Sequence, residues 1–412
     1  MTIATIVICL LLILAYIFDI TSSKTKIPSV ILLFALGWAV KQGTIFFGTP
    51  IPNLMVILPV LGTVGLVLIV LEGSLELELN RSKLPFIGKM TLISMLPMLI
   101  FSAGFAYAFS YFENSSLRSG LVNAIPFAVI SSAIAIPSAQ NLTAGNKEFI
   151  TYESSLSDIF GVILFNFITL NSAINAQSFG RFFVDLGAIL LITIVVTLGL
   201  AYLLSKIRHS VKFVPIILII VLIYEVSKEY HLPALIFILL FGLALGNLDE
   251  IKKSRGIQRL KPGILNGEVH KLKELTTEIS FLIRALFFLV FGFLLDVDDL
   301  INPTTIVWAV AIVSAMYALR FAFLYVFKMP MKPLLFIAPR GLITILLFLT
   351  IPVAQQIEVA NKSLTIQVII LTALIMMAGL LFHQEPTDPL APAEVVDEPI
   401  SFEEELFGKV EE

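Results

Sequence analysis

Residues 148–172 read EFITYESSLSDIFGVILFNFITLNS, and within them Glu153 and Asp158 stand among residues otherwise suited to lipid. Beyond Asp158 no charge appears before Arg181, and upstream of Glu153 the only charges back to Arg118 are Lys147 and Glu148. An ionisable side chain at bilayer depth costs roughly 2.5 to 3.5 kcal/mol on insertion scales, so it is usually kept for an ion or proton pathway. The stretch reads as a membrane-spanning helix built around a working carboxylate, which points to transport.

The rest of the chain agrees on class. Hydrophobic residues make up 58% of its 412 positions and charged residues only 14%. With a mean hydropathy of +0.97, it is far more apolar than a soluble domain needs to be. The single cysteine, Cys9, excludes a disulfide within the chain and a thiolate metal cluster. A net charge of −3 points to no nucleic acid or other polyanionic partner. The apolar start, Met1 to Phe18, lacks a basic leader and a small-residue cleavage site, so it reads as a first span rather than a signal peptide.

Runs of about 20 apolar residues place thirteen spans, at 2–19, 27–42, 53–75, 88–112, 118–143, 148–172, 182–205, 211–226, 232–247, 276–296, 303–327, 333–355 and 363–383. With the N-terminus outside, the inner loops and tail carry nineteen lysines and arginines and the outer loops five. That asymmetry predicts an N-out, C-in multi-pass protein of a bacterial inner or plasma membrane. Three basic residues belong to no loop: Arg284, Arg320 and Arg340 lie inside predicted spans.

Two spans contain breaks at matching places. The fifth reads Ser131-Ser132-Ala133-Ile134-Ala135-Ile136-Pro137-Ser138 and the twelfth Ile337-Ala338-Pro339-Arg340-Gly341. Proline removes a backbone donor and crowds the preceding turn, so Pro137 and Pro339 predict unwinding. The fifth of the first six spans thus matches the fifth of the last six. This suggests two inverted repeats, about 1–172 and 211–383, joined by a linker helix at 182–205, with the broken helices 5 and 12 crossing at an ion site. The expected fold is all-α and polytopic over residues 1–383, followed by a disordered acidic tail, 384–412. Ten acids, four prolines and one lysine between Glu385 and Glu412 carry that last expectation.

On a helix Ser154 and Asp158 share a face, as do Glu153 and Ser157. A carboxylate in a partly dehydrated cavity can hold a proton or a hard cation that prefers oxygen ligands, but not both, and competition at one group is exchange. Hydroxyls of Ser131, Ser132, Ser138, Ser154 or Ser157, with carbonyls freed at Ala135 and Ile136, would replace part of a Na+ or K+ hydration shell at Asp158. Taken singly, each serine more often bonds its own helix. Arg284, lone and near an inner end, reads as a snorkelling side chain. The basic stretch Asp249 to Glu274 reads as an inner loop, long enough for an amphipathic surface segment.

The run Glu153-Ser154-Ser155-Leu156-Ser157-Asp158 resembles the E-S-L-L-N-D motif of the sodium/proton exchanger branch of the cation/proton antiporters. Leu71-Glu72-Gly73-Ser74-Leu75-Glu76-Leu77 is similar to F-E-G-G-L-E-L, Pro339-Arg340-Gly341-Leu342 to the arginine-glycine motif of the second broken helix, and Arg320 to the arginine that pairs with the motif glutamate. The resemblance covers residues 1 to 383. It implies a monovalent cation/proton antiporter that is not an enzyme and needs no cofactor, works as a homodimer in the lipid bilayer, and binds its ion at Asp158. It further implies Glu72 as a ligand, a Glu153–Arg320 structural pair and Arg340 as support for the broken helix. The chain departs from the family where Ala135-Ile136-Pro137 replaces T-D-P and Ser157 replaces the asparagine or second aspartate before Asp158. One titrating carboxylate implies electroneutral 1:1 exchange with sodium as first choice. A potassium/proton antiporter and a relative that has lost transport are the alternatives in the same class. A gated channel would want a ring of filter residues, and a membrane hydrolase a Ser/His or His/Glu constellation. His209, His231, His270 and His383 all fall at helix ends or in loops.

Overall fold

A computed structural model describes residues 2–48, 54, 57–77, 83–171, 175–206, 213–230, 232, 234–247 and 262–382, and among these no strand occurs. The acidic tail and the first part of the basic stretch after Asp249 lie outside the described residues.

The helices, in chain order, are α1 (Thr2–Thr25), α2 (Ser29–Phe46), α3 (Ile57–Glu76), α4 (Leu84–Phe112), α5 (Leu117–Ala128), α6 (Ser132–Ser138), α7 (Ala144–Leu170), α8 (Ala176–Lys206), α9 (Phe213–Glu229), α10 (Ala234–Gly246), α11 (Pro262–Phe293), α12 (Val297–Ile301), α13 (Pro303–Val326), α14 (Leu342–Leu349) and α15 (Lys362–Phe382). Among the described residues nine segments are long and apolar enough to cross a membrane, counting α5 and α6 as one, and Ile6–Ser22 and α10 are shorter apolar helices. The remaining two expected spans do not qualify by length. The eighth is the 17-residue α9, and the twelfth keeps only the 8-residue α14 as regular helix. The thirteen crossings therefore remain an expectation.

Two boundaries differ from the sequence reading. The tenth span begins far earlier than residue 276, because α11 starts at Pro262 and runs unbroken for 32 residues. Proline is pre-organised for a first helical turn, where its missing N–H costs nothing. The inner half of the expected loop is thus helix. The short α12, in the expected outer loop, is the second difference. Its first turn carries Asp298 and Asp299, favourable at a helix N-terminus.

The helices pack in two groups. In one, α4, α5 and α7 pack together and α13 joins α4 and α15; in the other, α11 lies against both α2 and α3, and α10 against α3, α8 and α9. Close backbone approach explains the tightest of these contacts. A Cβ on Gly37 would stand 2.2 Å from the Leu289 carbonyl oxygen, and one on Gly292 2.5 Å from that of Phe34. Small residues of this kind let membrane helices touch where no hydrophobic effect drives them together. Between the groups, α3 meets α6, α7 and α14, and α1 meets α6. The short broken pieces lie on that seam.

Candidate functional site: an aspartate between two broken helices

α7 delivers Glu153, Ser154, Ser157 and Asp158 to the interior, where all four are buried. The first break lies at Val129–Ser131, between α5 and α6, rather than at Ala135-Ile136-Pro137. Three successive backbone donors there find acceptors outside their own helix. The N–H of Ile130 donates to Ser157 Oγ at 2.9 Å, that of Ser131 to the Pro339 carbonyl at 2.9 Å, and that of Ser132 to Asp158 Oδ2 at 3.2 Å. The Ser132 hydroxyl donates to the same carboxylate oxygen. Buried backbone groups must be paired, and these foreign acceptors hold the chain open.

Pro137 behaves otherwise than expected. It sits inside α6, where it forfeits one intrahelical bond and leaves the turn intact. The carbonyls of Ala135 and Ile136 both accept from Ala139 N–H, at 3.1 Å each. They are therefore engaged in the last turn of α6 rather than freed. Ser138 donates to the Ile134 carbonyl at 2.8 Å and Ser154 to the Ile150 carbonyl at 2.7 Å, the self-bonding habit of serine in helices.

The second break, residues 337–341, carries Pro339, Arg340 and Gly341 in non-helical backbone. Arg340 is buried and spreads its guanidinium over open chain ends. Its Nε donates to the Phe127 carbonyl at 2.8 Å, Nη2 to that of Ala128 at 3.2 Å and Nη1 to that of Ala338 at 2.6 Å. Phe127 and Ala128 close α5, so the cation lies at the negative end of that half-helix. Thr372 of α15 accepts the Arg340 N–H at 3.1 Å, a contact with no signal in the sequence. Gly341 admits the crossing itself, since a Cβ there would meet Ile134 Cδ1 at 2.5 Å and Ser131 Oγ at 3.0 Å.

Glu153 is satisfied separately. Arg320 Nη1 and Nη2 donate to its two oxygens at 2.6 and 2.9 Å, and Arg320 Nε to the Leu334 carbonyl at 2.8 Å. Both charges of this two-pronged pair are used up internally. Asp158 differs: Oδ2 takes both donors from Ser132, while Oδ1 is buried with no hydrogen-bond partner among the described residues, as are Ser131 Oγ and Ser155 Oγ. A buried carboxylate oxygen left without a donor is costly. Chemically, an oxygen in that state can take a proton or a hard cation.

Glu72 is half-buried on α3. It lines a cavity of about 360 Å³ together with Ser132, Ile136 and Pro137, and with Asp19, Glu278 and Arg284. Through Ser132 this cavity reaches the hydrogen-bond partner of Asp158. Arg284 forms part of its wall.

The family model described as sodium/hydrogen exchanger, transmembrane, matches residues 8–383. The chain belongs to that family. It is thereby a membrane antiporter rather than an enzyme, of the kind that exchanges cations for protons. The fold agrees. The sodium proton antiporter MjNhaP1 from Methanocaldococcus jannaschii superposes with a TM-score of 0.68 at 19% identity, covering 92% of this exchanger and 99% of that chain. An electron-microscopy structure of the same archaeal protein gives 0.64 at 20% identity, covering 94% and 99%. No curated protein matches the sequence.

Proposed function

We propose that this exchanger family member is a secondary active transporter that trades one monovalent cation, sodium first, for one proton by alternating access around Asp158. The carrying observation is the state of the Asp158 carboxylate. It is 2% exposed, one oxygen is met by the Ser132 N–H and hydroxyl, and the other has no partner among the described residues. A site with one open carboxylate oxygen accepts a proton or a hard cation, and either displaces the other.

The roles follow from the chemistry. Asp158 carries the ion. Ser132, Ser154 and Ser157 supply hydroxyl oxygens once the Ser132 hydroxyl turns from donor to ligand, and Glu72 meets the cation in the cavity before Asp158 does. Ala135 and Ile136 contribute through the second lone pair of carbonyls already engaged in α6. Glu153 is held by Arg320, and Ser157 carries no charge, so one carboxylate titrates per cycle and exchange is electroneutral. The group built from α4–α7 and α12–α15 moves against the other, which provides the contacts of a homodimer. With the N-terminus outside and the C-terminus inside, the Glu72 cavity opens to the cytoplasm of a bacterial cell.

Dequenching of a pH-sensitive dye in proteoliposomes, on addition of Na+, K+ or Li+, tests this. Sodium-driven proton movement that disappears in Asp158→Asn is the expected result. Equal signals from the variant and the parent chain would remove Asp158 from the mechanism.

A further inference from the structure

Among the described residues, Arg284 is the one cation in the wall of the cavity that leads to Ser132. It sits nine residues, about 14 Å of helix rise, from the Phe293 end of α11, well within the apolar segment Gly267–Phe293. It is half-buried, and among the described residues no hydrogen bond or ion pair holds it. Among the described residues, the charged groups that face the same space are Asp19 on α1, Glu72 on α3 and Glu278 on its own helix, whereas the uncharged Ser132 of α6 and Gln140, in the turn after α6, complete the polar lining. An unpaired arginine at this depth is expensive to keep, and neither the exchange step nor the helix breaks use it.

Resting on the antiport reading above, we propose that Arg284 is the valence filter of this vestibule, a positioning charge that lets monovalent cations approach Asp158 and turns divalent cations away. Three carboxylates attract any cation, and a low-dielectric wall strengthens that attraction. Without a positive charge among them the cavity would suit hard divalent ions, which take several carboxylate oxygens. A fixed positive charge opposes an approaching ion in proportion to the ion's own charge. Its effect on a divalent cation is therefore the square of its effect on a monovalent one. Glu72 and Glu278 keep the approach attractive for a single charge, and Arg284 makes a double charge pay twice.

The square relation is the test. In proteoliposomes Arg284→Gln should lower the apparent KM for Na+ about fivefold, leave kcat within about twofold, and strengthen inhibition by Ca2+ about 25-fold. Arg284→Lys should restore both values, and Glu278→Gln, at an exposed position, should shift both in the opposite direction. Unchanged Ca2+ inhibition in Arg284→Gln would overturn the proposal, as would a change by the same factor for Na+ and Ca2+. If the parent chain moves no protons, the antiport reading fails instead. The filter is then read from melting temperatures, where Ca2+ should stabilise Arg284→Gln and not the parent chain, and equal Ca2+ shifts in both would overturn it.

Discussion

Arg320 grips Glu153 with both arms of its guanidinium, at 2.6 and 2.9 Å, in a pair that solvent barely reaches. Such a pair is weak evidence for stability as a unit, but each partner is strongly dependent on the other. Glu153→Gln leaves a buried cation uncompensated and should cost about 3 to 5 kcal/mol. Adding Arg320→Gln should recover part of the loss, which a double-mutant cycle on thermal melting in detergent measures. Additive losses would show that the two charges act independently.

Asp158→Asn keeps the shape of the side chain and its acceptor for the Ser132 donors. The variant should insert, purify and melt like the parent chain while losing all cation-driven dequenching. A variant that transports at near the parent rate would transfer the ion-carrying role to Glu153.

If Asp158 is the one carboxylate that exchanges its ion, as proposed, a cycle moves no net charge. Exchange in proteoliposomes should be indifferent to an imposed membrane potential set with valinomycin and a potassium gradient. A clear acceleration with voltage would require a second titrating group and end the 1:1 assignment.

Arg340 satisfies the carbonyls of Phe127, Ala128 and Ala338. Arg340→Gln should lose about 1 to 3 kcal/mol, the cost of leaving buried acceptors unmet. Lysine should restore little of this, because a single ammonium cannot span both broken chains as a planar fork does. Melting of the two variants side by side reads the difference.

At one rim of the molecule burial pushes the Asp299 carboxyl up, but hydrogen bonds from Lys362 and Ser363 outweigh it and hold the group below its ordinary value. A carboxylate depressed on folding adds stability above its unfolded pKa, about 3.9, and loses it as pH falls through the lower folded value. Asp299→Asn should therefore lower the melting temperature at pH 7, and the gap to the parent chain should close below about pH 4.

The order and apolar character of the helices were legible because lipid demands long apolar runs, and a charge inside one is conspicuous. Glu153, Asp158, Arg320 and Arg340 were visible for that reason. The place of the first break was not. Pro137 is a loud local signal, yet it costs α6 one bond, whereas the true opening depends on Ser157, Asp158 and Pro339, acceptors from other segments that leave no mark near Val129. Ser131-Ser132 before an apolar run is the kind of pair that can start a helix, the one local sign of the break. The cavity that Arg284 lines could not be anticipated, because a single sequence does not reveal which helix faces a cavity. The early start of α11 was hidden by its charged, loop-like composition.

The bond from Ser131 N–H to the Pro339 carbonyl also ties together two stretches that leave the ribosome more than 200 residues apart. Until the chain around Pro339 is in place, the Ser131 amide lacks the acceptor it has in the folded protein. The fifth span is thus finished by nearly the last segment to emerge.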